Sequence, residues 1–285
     1  MRIRFRHAVN AAGPWVDEVR RLEDPRAEPM ARLSKGVHLV VPQPEPWQAA
    51  VTTPLPGGRV TFAVPWEGTL LLGTTDTEYT GSPSALEVEP ADVDTVLAEA
   101  ALALPTPLLA RDRILHTFAG LRVLPRSDGS TAGAHREEVI EAGRAGMVSV
   151  AGGKLTTHRR IALKVLRHLP PFRHLQLTSA PLPGAGPLPS PPPAVEPEVW
   201  RHLTHLYGCE APAVLEAGAE PIHPAGPDVW GQVHFAAERE WATTVEDVVR
   251  RRTTLAVRGL ASAEVREAIA ATLARAGVLK SADGS

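Results

Sequence analysis

The chain has 285 residues, 44% of them hydrophobic and 22% charged, and carries a formal net charge of -2. A core of good size can be buried, in two domains or in one large domain with an appendage; the near-neutral balance gives no bulk attraction to nucleic acid. One cysteine, Cys209, excludes an internal disulfide and fits a reducing compartment, and no run of about 18 apolar residues offers a membrane-spanning helix.

In chain order, Val9-Asn10-Ala11-Ala12-Gly13-Pro14-Trp15-Val16 reads as a strand end, a small-residue turn and a helix start. Val37 to Pro42 is a strand stopped by proline. Val60–Pro65 and Thr69–Thr74 are two more, joined by the turn Trp66-Glu67-Gly68 into an antiparallel hairpin. From Pro90 the period changes: Val93, Val96, Leu97, Ala100, Ala101 and Leu104 fall at helical spacing, and Pro105 and Pro107 end the run. Gly146–Ala151 reads as a buried strand, Gly152-Gly153 as a tight turn, and Leu155–Leu169 as a helix closed by Pro170-Pro171. Residues 181–197 are rich in proline, glycine and alanine and form a semi-rigid linker. Beyond it the pattern is helical: Val199–Leu206 ended by Gly208, a second helix from Thr244, and a last one opened by Ser262-Ala263-Glu264-Val265 in N-cap fashion.

Four segments bear on chemistry. In Val150-Ala151-Gly152-Gly153-Lys154-Leu155-Thr156-Thr157 a strand runs through two glycines straight into a helix. Such a turn lets a ligand approach the backbone and offers it free N–H groups and a positive dipole end. It suits an anion or a ring edge that gains negative charge; plain α/β packing produces the same pattern. The spacing to Lys154 is wrong for a phosphate-binding loop of the Walker type. The small residues of the Val9–Val16 turn permit close approach of a bulky cofactor or serve a simple βα turn. His38, inside a strand, is either a satisfied half-buried residue or a proton acceptor tuned near neutral pH. Arg122 sits among apolar strand residues, where it needs an anion or a salt bridge, and Arg136 follows soon after. With Lys154, the two arginines would make a site for a phosphate dianion. His202 and His205 lack further ligands at metal spacing, and no Gly-x-Ser-x-Gly elbow occurs, so neither a metal centre nor a serine hydrolase is expected.

Taken together and in order, these segments resemble the FAD-dependent (quinone-linked, aerobic) glycerol-3-phosphate dehydrogenase family. The run Val9–Trp15 is similar to the family's "VNATGPW", and Lys35-Gly36-Val37-His38-Leu39-Val40-Val41-Pro42 to its "KGSHIVVP". Pro65-Trp66 with Gly73-Thr74-Thr75-Asp76-Thr77-Glu78-Tyr79 resembles its "IPW" and "GTTDxEY" hairpin, Gly120–Pro125 its "GxRPL", and Gly152–Thr157 its "GGKLTT". Glu240-Trp241-Ala242, Val245–Val248 and Arg251-Arg252-Thr253 resemble its C-terminal helical domain.

The resemblance implies an α/β (α+β) architecture. Residues 1–180 form a partial FAD-binding, Rossmann-like domain with an antiparallel substrate sheet over about 30–118. The linker 181–197 and an all-helical domain 198–285 follow. It implies oxidation of sn-glycerol 3-phosphate at C2 to dihydroxyacetone phosphate, with FAD as cofactor and quinone as electron acceptor. The location implied is cytoplasmic, peripheral on the inner face of the cell membrane. His38 matches the family's active-site histidine, Arg122 and Arg136 its substrate-site arginines, and Lys154 the lysine beside the flavin. Ala12, Gly13, Trp15, Gly152, Gly153, Leu155, Thr156 and Thr157 fall where the cofactor is met. The family's Gly-x-Gly-x-x-Gly turn occurs nowhere in the 285 residues, so the expectation is an incomplete FAD site, with the front end encoded upstream of Met1 or supplied by a second polypeptide. A homodimer is a further option. Two other readings stay open: a non-catalytic, phosphate-ligand-binding remnant, and another flavin oxidase acting on amines or 2-hydroxy acids. Arg122, Arg136 and Lys154 argue for a phosphorylated substrate against the second.

Overall fold

A computed structural model describes residues 3–126, 137–172, 175 and 180–278. Two sheets organise the first part of the chain. The smaller has β1 (Val9–Asn10) beside β9 (Val148–Gly152), with β8 (Glu138–Ala142) on the far edge of β9. β1 and β9 run parallel in the register Val9 to Val148, as expected for strands of a doubly wound sheet, and β8 is antiparallel. Asn10 fixes the turn after β1: its buried amide donates to Val16 O at 2.9 Å and its Oδ1 accepts from Ala12 N at 3.2 Å. Helix α1 (Val16–Glu23) starts there, and its Asp17 carboxylate accepts from the Met30 and Ala31 amides, aiming the next strand.

That strand, β2 (Ala31–Pro42), is the spine of the larger, antiparallel sheet. It begins at Ala31, earlier than the apolar run alone suggests, because its first half earns its place by pairing. On one edge it pairs along ten residues with β7 (His116–Pro125). On the other, its second half pairs with β5 (Thr69–Gly73) and its first half with β6 (Thr77–Tyr79). β4 (Val60–Trp66) and β3 (Val51–Pro54) continue beyond β5. The expected hairpin is β4–β5, closed by Glu67 and Gly68 at φ of 49° and 76°, the conformation of a two-residue turn that follows the strand twist.

Period-two alternation divides β2 between two faces. Val37, Leu39 and Val41 point with Leu70 and Leu72 into a core covered by α2 (Pro90–Ala100). Each such fully buried side chain contributes about 1.5–3 kcal/mol of transfer free energy. Helix α2 is opened by a capping box between Glu89 and Asp92. Lys35 belongs to this face too: its Nζ lies 2.7 Å from Asp92 and 3.1 Å from Glu89. Ser34, Gly36 and His38 occupy the opposite face.

The expected helix 155–169 divides in two, a 3-10 turn at Leu155–Thr157 followed by α3 (His158–Arg167). Residues 180–196 carry neither helix nor strand, though Gly184 O accepts from Cys209 N at 2.9 Å. From there the regular elements described are helices, α4 (Pro197–Tyr207), α5 (Ala211–Ala217), α6 (Trp230–Arg239), α7 (Val245–Asp247) and α8 (Ala263–Arg275), joined by turns and loops and one isolated bridge between Pro221 and Val229. Ser262 caps α8 by accepting from Val265 N, as read from the sequence, whereas the segment after Thr244 gives only a short α7 before a π-turn at Val248–Arg252. Among the described residues no helix is long and apolar enough to cross a membrane.

Candidate active site

The face of the larger sheet opposite α2 gathers the chemistry. β5 ends at Gly73 and β6 begins at Thr77, so Thr74, Thr75 and Asp76 step out of the ladder beside Gly36. The Arg122 guanidinium lands in that gap. Nη1 donates to Thr75 O at 3.1 Å and to Ser34 Oγ at 3.4 Å, Nη2 donates to Thr74 Oγ1 at 2.9 Å, and Asp76 Oδ1 is 4.0 Å away. Ser34 Oγ donates to Asp76. Gly36 is required for this posture: a Cβ there would sit 2.7 Å and 2.8 Å from the two guanidinium nitrogens. The Arg122 charge is thus held by fixed dipoles and a carboxylate, with a quarter of its side chain still exposed.

His38 lies on the same face, two rows from Arg122 with the Gly36–Gly120 row between them. Its ring stacks on Phe118 at 5.0 Å between centroids and 16° between planes, and rests over Gly73, where a Cβ would come within 2.7 Å of the ring. Phe118 in turn stacks with His116 at 6.2 Å. Burial first, and the Arg122 charge second, hold the His38 imidazole below its ordinary 6.5. The ring is therefore neutral at pH 7 and able to accept a proton. Burial, with the charge of Arg250 next, lowers His116 likewise.

The glycine turn builds a second feature. Gly152 and Gly153 take φ of 77° and 86°, so the backbone calls for glycine at both, and at Gly152 a side chain would also meet the Glu137 carbonyl at 2.5 Å. Between this turn, β1 and α3 lies an apolar trough of about 640 Å³ lined by Val9, Ala11, Gly152, Gly153, Leu155 and Val165 among others. A flat aromatic ring edge fits such a trough: apolar walls receive its faces, and the turn presents bare backbone to its polar rim. Of the residues read as cofactor contacts, Gly152, Gly153 and Leu155 line the trough. Ala12, Gly13 and Trp15 form the neighbouring turn, where Trp15 Nε1 donates to Ser84 Oγ at 3.0 Å; Thr156 is exposed beyond the glycines and Thr157 Oγ1 donates to Lys154 O. Lys154 borders the trough and also a charged cavity with Glu137, Glu138, Thr157, Arg160 and Lys164. Neither cavity is lined by His38 or Arg122. Arg136 lies outside the described residues.

Sequence reading missed a buried charged cluster between the sheet and the helices. Glu67, at the β4–β5 turn, takes a hydrogen bond from Arg258 Nη2 at 3.1 Å and lies 3.7 Å from His202 Nδ1. His202 Nε2 is 3.0 Å from Asp228, a fully buried carboxylate that also accepts from Thr254 and Gln232. Burial opposes the charge on His202, but Asp228 and Glu67 overcome it and raise the group to about 9. Among the described residues no group of three His, Cys, Asp or Glu side chains could hold a metal ion.

Residues 2–159 match the family described as FAD dependent oxidoreductase, and residues 148–280 match the C-terminal domain of alpha-glycerophosphate oxidase. The fold and its glycine turn thus fall in the class of FAD-dependent oxidoreductases. The glycerol-3-phosphate dehydrogenase of Synechocystis sp. is 34% identical over 87% of this chain and 51% of its own length, and the D-erythritol 1-phosphate dehydrogenase of Brucella abortus 32% identical over 88% and 55%. The solved glycerol-3-phosphate dehydrogenase of Bacillus halodurans, complexed with FAD, superposes with a TM-score of 0.73 at 28% identity, covering 95% of this chain and 58% of that one. The chain belongs to the FAD-dependent glycerol-3-phosphate dehydrogenase family. It spans about half the length of the curated relatives it matches.

Proposed function

We propose that this chain carries the substrate-binding face, and the flavin-ring side, of an enzyme that oxidises sn-glycerol 3-phosphate to dihydroxyacetone phosphate and passes the electrons to quinone. The observation that carries the reading is the pairing of a neutral, aromatic-stacked His38 with a fixed Arg122 cation on one sheet face. A phosphate monoester brings a dianion that the arginine fork receives, with Arg136 as a second contact. The neutral imidazole of His38 takes the proton of the C2 hydroxyl as the carbinol is oxidised. FAD, when bound, supplies the acceptor for the hydride. Gly152, Gly153 and Leu155 would hold its ring, with Ala12, Gly13, Trp15 and Thr156 around it and Lys154 at the edge. Members of the family act on more than one polyol phosphate by name; glycerol 3-phosphate is favoured because it is the substrate named for both the Synechocystis and Bacillus halodurans proteins.

Glycerol-3-phosphate-dependent dye reduction by the full chain with FAD tests this. His38→Asn should lower the rate by about 10²- to 10⁴-fold, the usual worth of a positioned base. In the parent protein kcat/KM should fall as acid protonates His38, with the midpoint of that fall below pH 6.5. A His38→Asn variant as fast as the parent removes the base assignment.

A further inference from the structure

Gly36 of β2 and Gly120 of β7 are direct cross-strand partners. Partners share a face, so the two glycines leave a strip of bare backbone across the site. On one side of the strip stand His38 and Phe118, the next pair on this face; on the other stand Ser34 and Arg122. The two glycines differ in what lies above them. A Cβ on Gly36 would strike the Arg122 guanidinium and Thr74 Oγ1, at 2.7–2.8 Å. A Cβ on Gly120 would meet nothing within 4 Å among the described residues. Gly120 is exposed and its backbone is not left-handed, so neither packing nor conformation calls for glycine there. A strand interior ordinarily favours a β-branched or aromatic residue at such a place, and glycine weakens it.

We propose that Gly120 is a specificity-determining position: it keeps open a slot, floored by backbone, in which the carbon chain of an unbranched polyol phosphate lies between the Arg122 cation and the His38–Phe118 stack. This rests on the site assignment made above. Rows on one face of a strand repeat every ~6.7 Å, so the Arg122 and His38 rows are about 13 Å apart at the backbone before their side chains reach inward. The space left above Gly120 suits a short chain with its phosphate at Arg122 and a hydroxyl-bearing carbon at His38. A side chain at 120 would project into that space, its Cβ clear of the described partners of Arg122.

Calorimetric titration of the full chain, with FAD present, separates the outcomes with two probes, glycerol 3-phosphate and inorganic phosphate. Gly120→Val should keep the parent's melting temperature, bind glycerol 3-phosphate roughly 10-fold or more weakly, in keeping with the cost of misfitting a side chain's worth of volume, and bind inorganic phosphate as the parent does. Gly120→Ala, a single added methyl group, should give a smaller loss in the same direction. Gly36→Ala, which displaces Arg122, should weaken both probes. Unchanged binding of glycerol 3-phosphate by Gly120→Val overturns the slot and leaves the site standing, and so does an equal loss of both probes, which would mean the variant acts through Arg122. A parent protein that binds neither probe overturns the site assignment itself, and the slot with it.

Discussion

Asp228→Ala should destabilise the helical part of the protein severely. The carboxylate is fully buried. It accepts from Thr254 N at 3.1 Å, Thr254 Oγ1 at 2.7 Å and Gln232 Nε2 at 3.2 Å, and stands 3.0 Å from His202 Nε2. Alanine leaves these donors without an acceptor where water does not reach, and one of them is a cation. Removing one partner of a buried pair costs about 3–5 kcal/mol. Hydrogen bonds to a charged group are each worth about 1.5–3 kcal/mol but do not add when they share one carboxylate, so ~3–5 kcal/mol stands for the whole cluster. At roughly 2–4 °C per kcal/mol for a chain of this size, the melting temperature should fall by about 10 °C. Thermal unfolding followed by circular dichroism at pH 7 reads this directly. A variant melting within about 2 °C of the parent would refute the claim that this cluster ties sheet to helices.

The same cluster sets a pH dependence. His202 titrates at about 9 in the folded protein against an ordinary 6.5; its contribution is full below pH 6.5 and is lost as pH rises from there through 9, on the order of 3 kcal/mol. Urea denaturation at pH 6 and pH 9.5 should show that loss in the parent and a smaller one in Asp228→Asn. Gly36→Ala should melt near the parent's temperature if Arg122 swings aside, yet lower kcat/KM for glycerol 3-phosphate by at least about 10-fold, since a small displacement of a positioning group carries such a cost; an unchanged kcat/KM would show that the guanidinium's place over Gly36 is irrelevant to turnover.

The residues closest to the proposed chemistry were legible because they lie in short runs whose spacing survives on one strand or one turn. Val37–Pro42 is read as a strand, and its alternation carried back to Lys35 puts that side chain opposite His38; Lys35 sits among the carboxylates of Asp92 and Glu89. The glycine pair before Lys154 announces a turn, and both residues have positive φ. What could not be read is long-range pairing. Nothing local says that β7 lies against β2, some 80 residues away, and only that register opposes Gly36 with Gly120 and lays Arg122 over the gap at Thr74–Asp76. The "GTTD" run was visible as a hairpin signature, but its task, receiving Arg122 where β5 gives way to β6, is a tertiary fact. Glu67 reads as an ordinary turn residue and Asp228 carries no local signal, because their partners, His202, Thr254 and Arg258, come from distant helices and connections. The 3-10 turn at Leu155–Thr157 escaped for the opposite reason, being a local departure inside a segment whose periodicity reads as one helix.

The central claim is that this sheet face serves oxidation of a phosphorylated polyol by a flavin. Mixing the full chain and FAD without oxygen, then adding glycerol 3-phosphate, should bleach the flavin's visible absorbance band and release dihydroxyacetone phosphate in equal amount, while unphosphorylated glycerol leaves the band unchanged. A band that glycerol 3-phosphate does not alter, or that glycerol bleaches equally well, would contradict it.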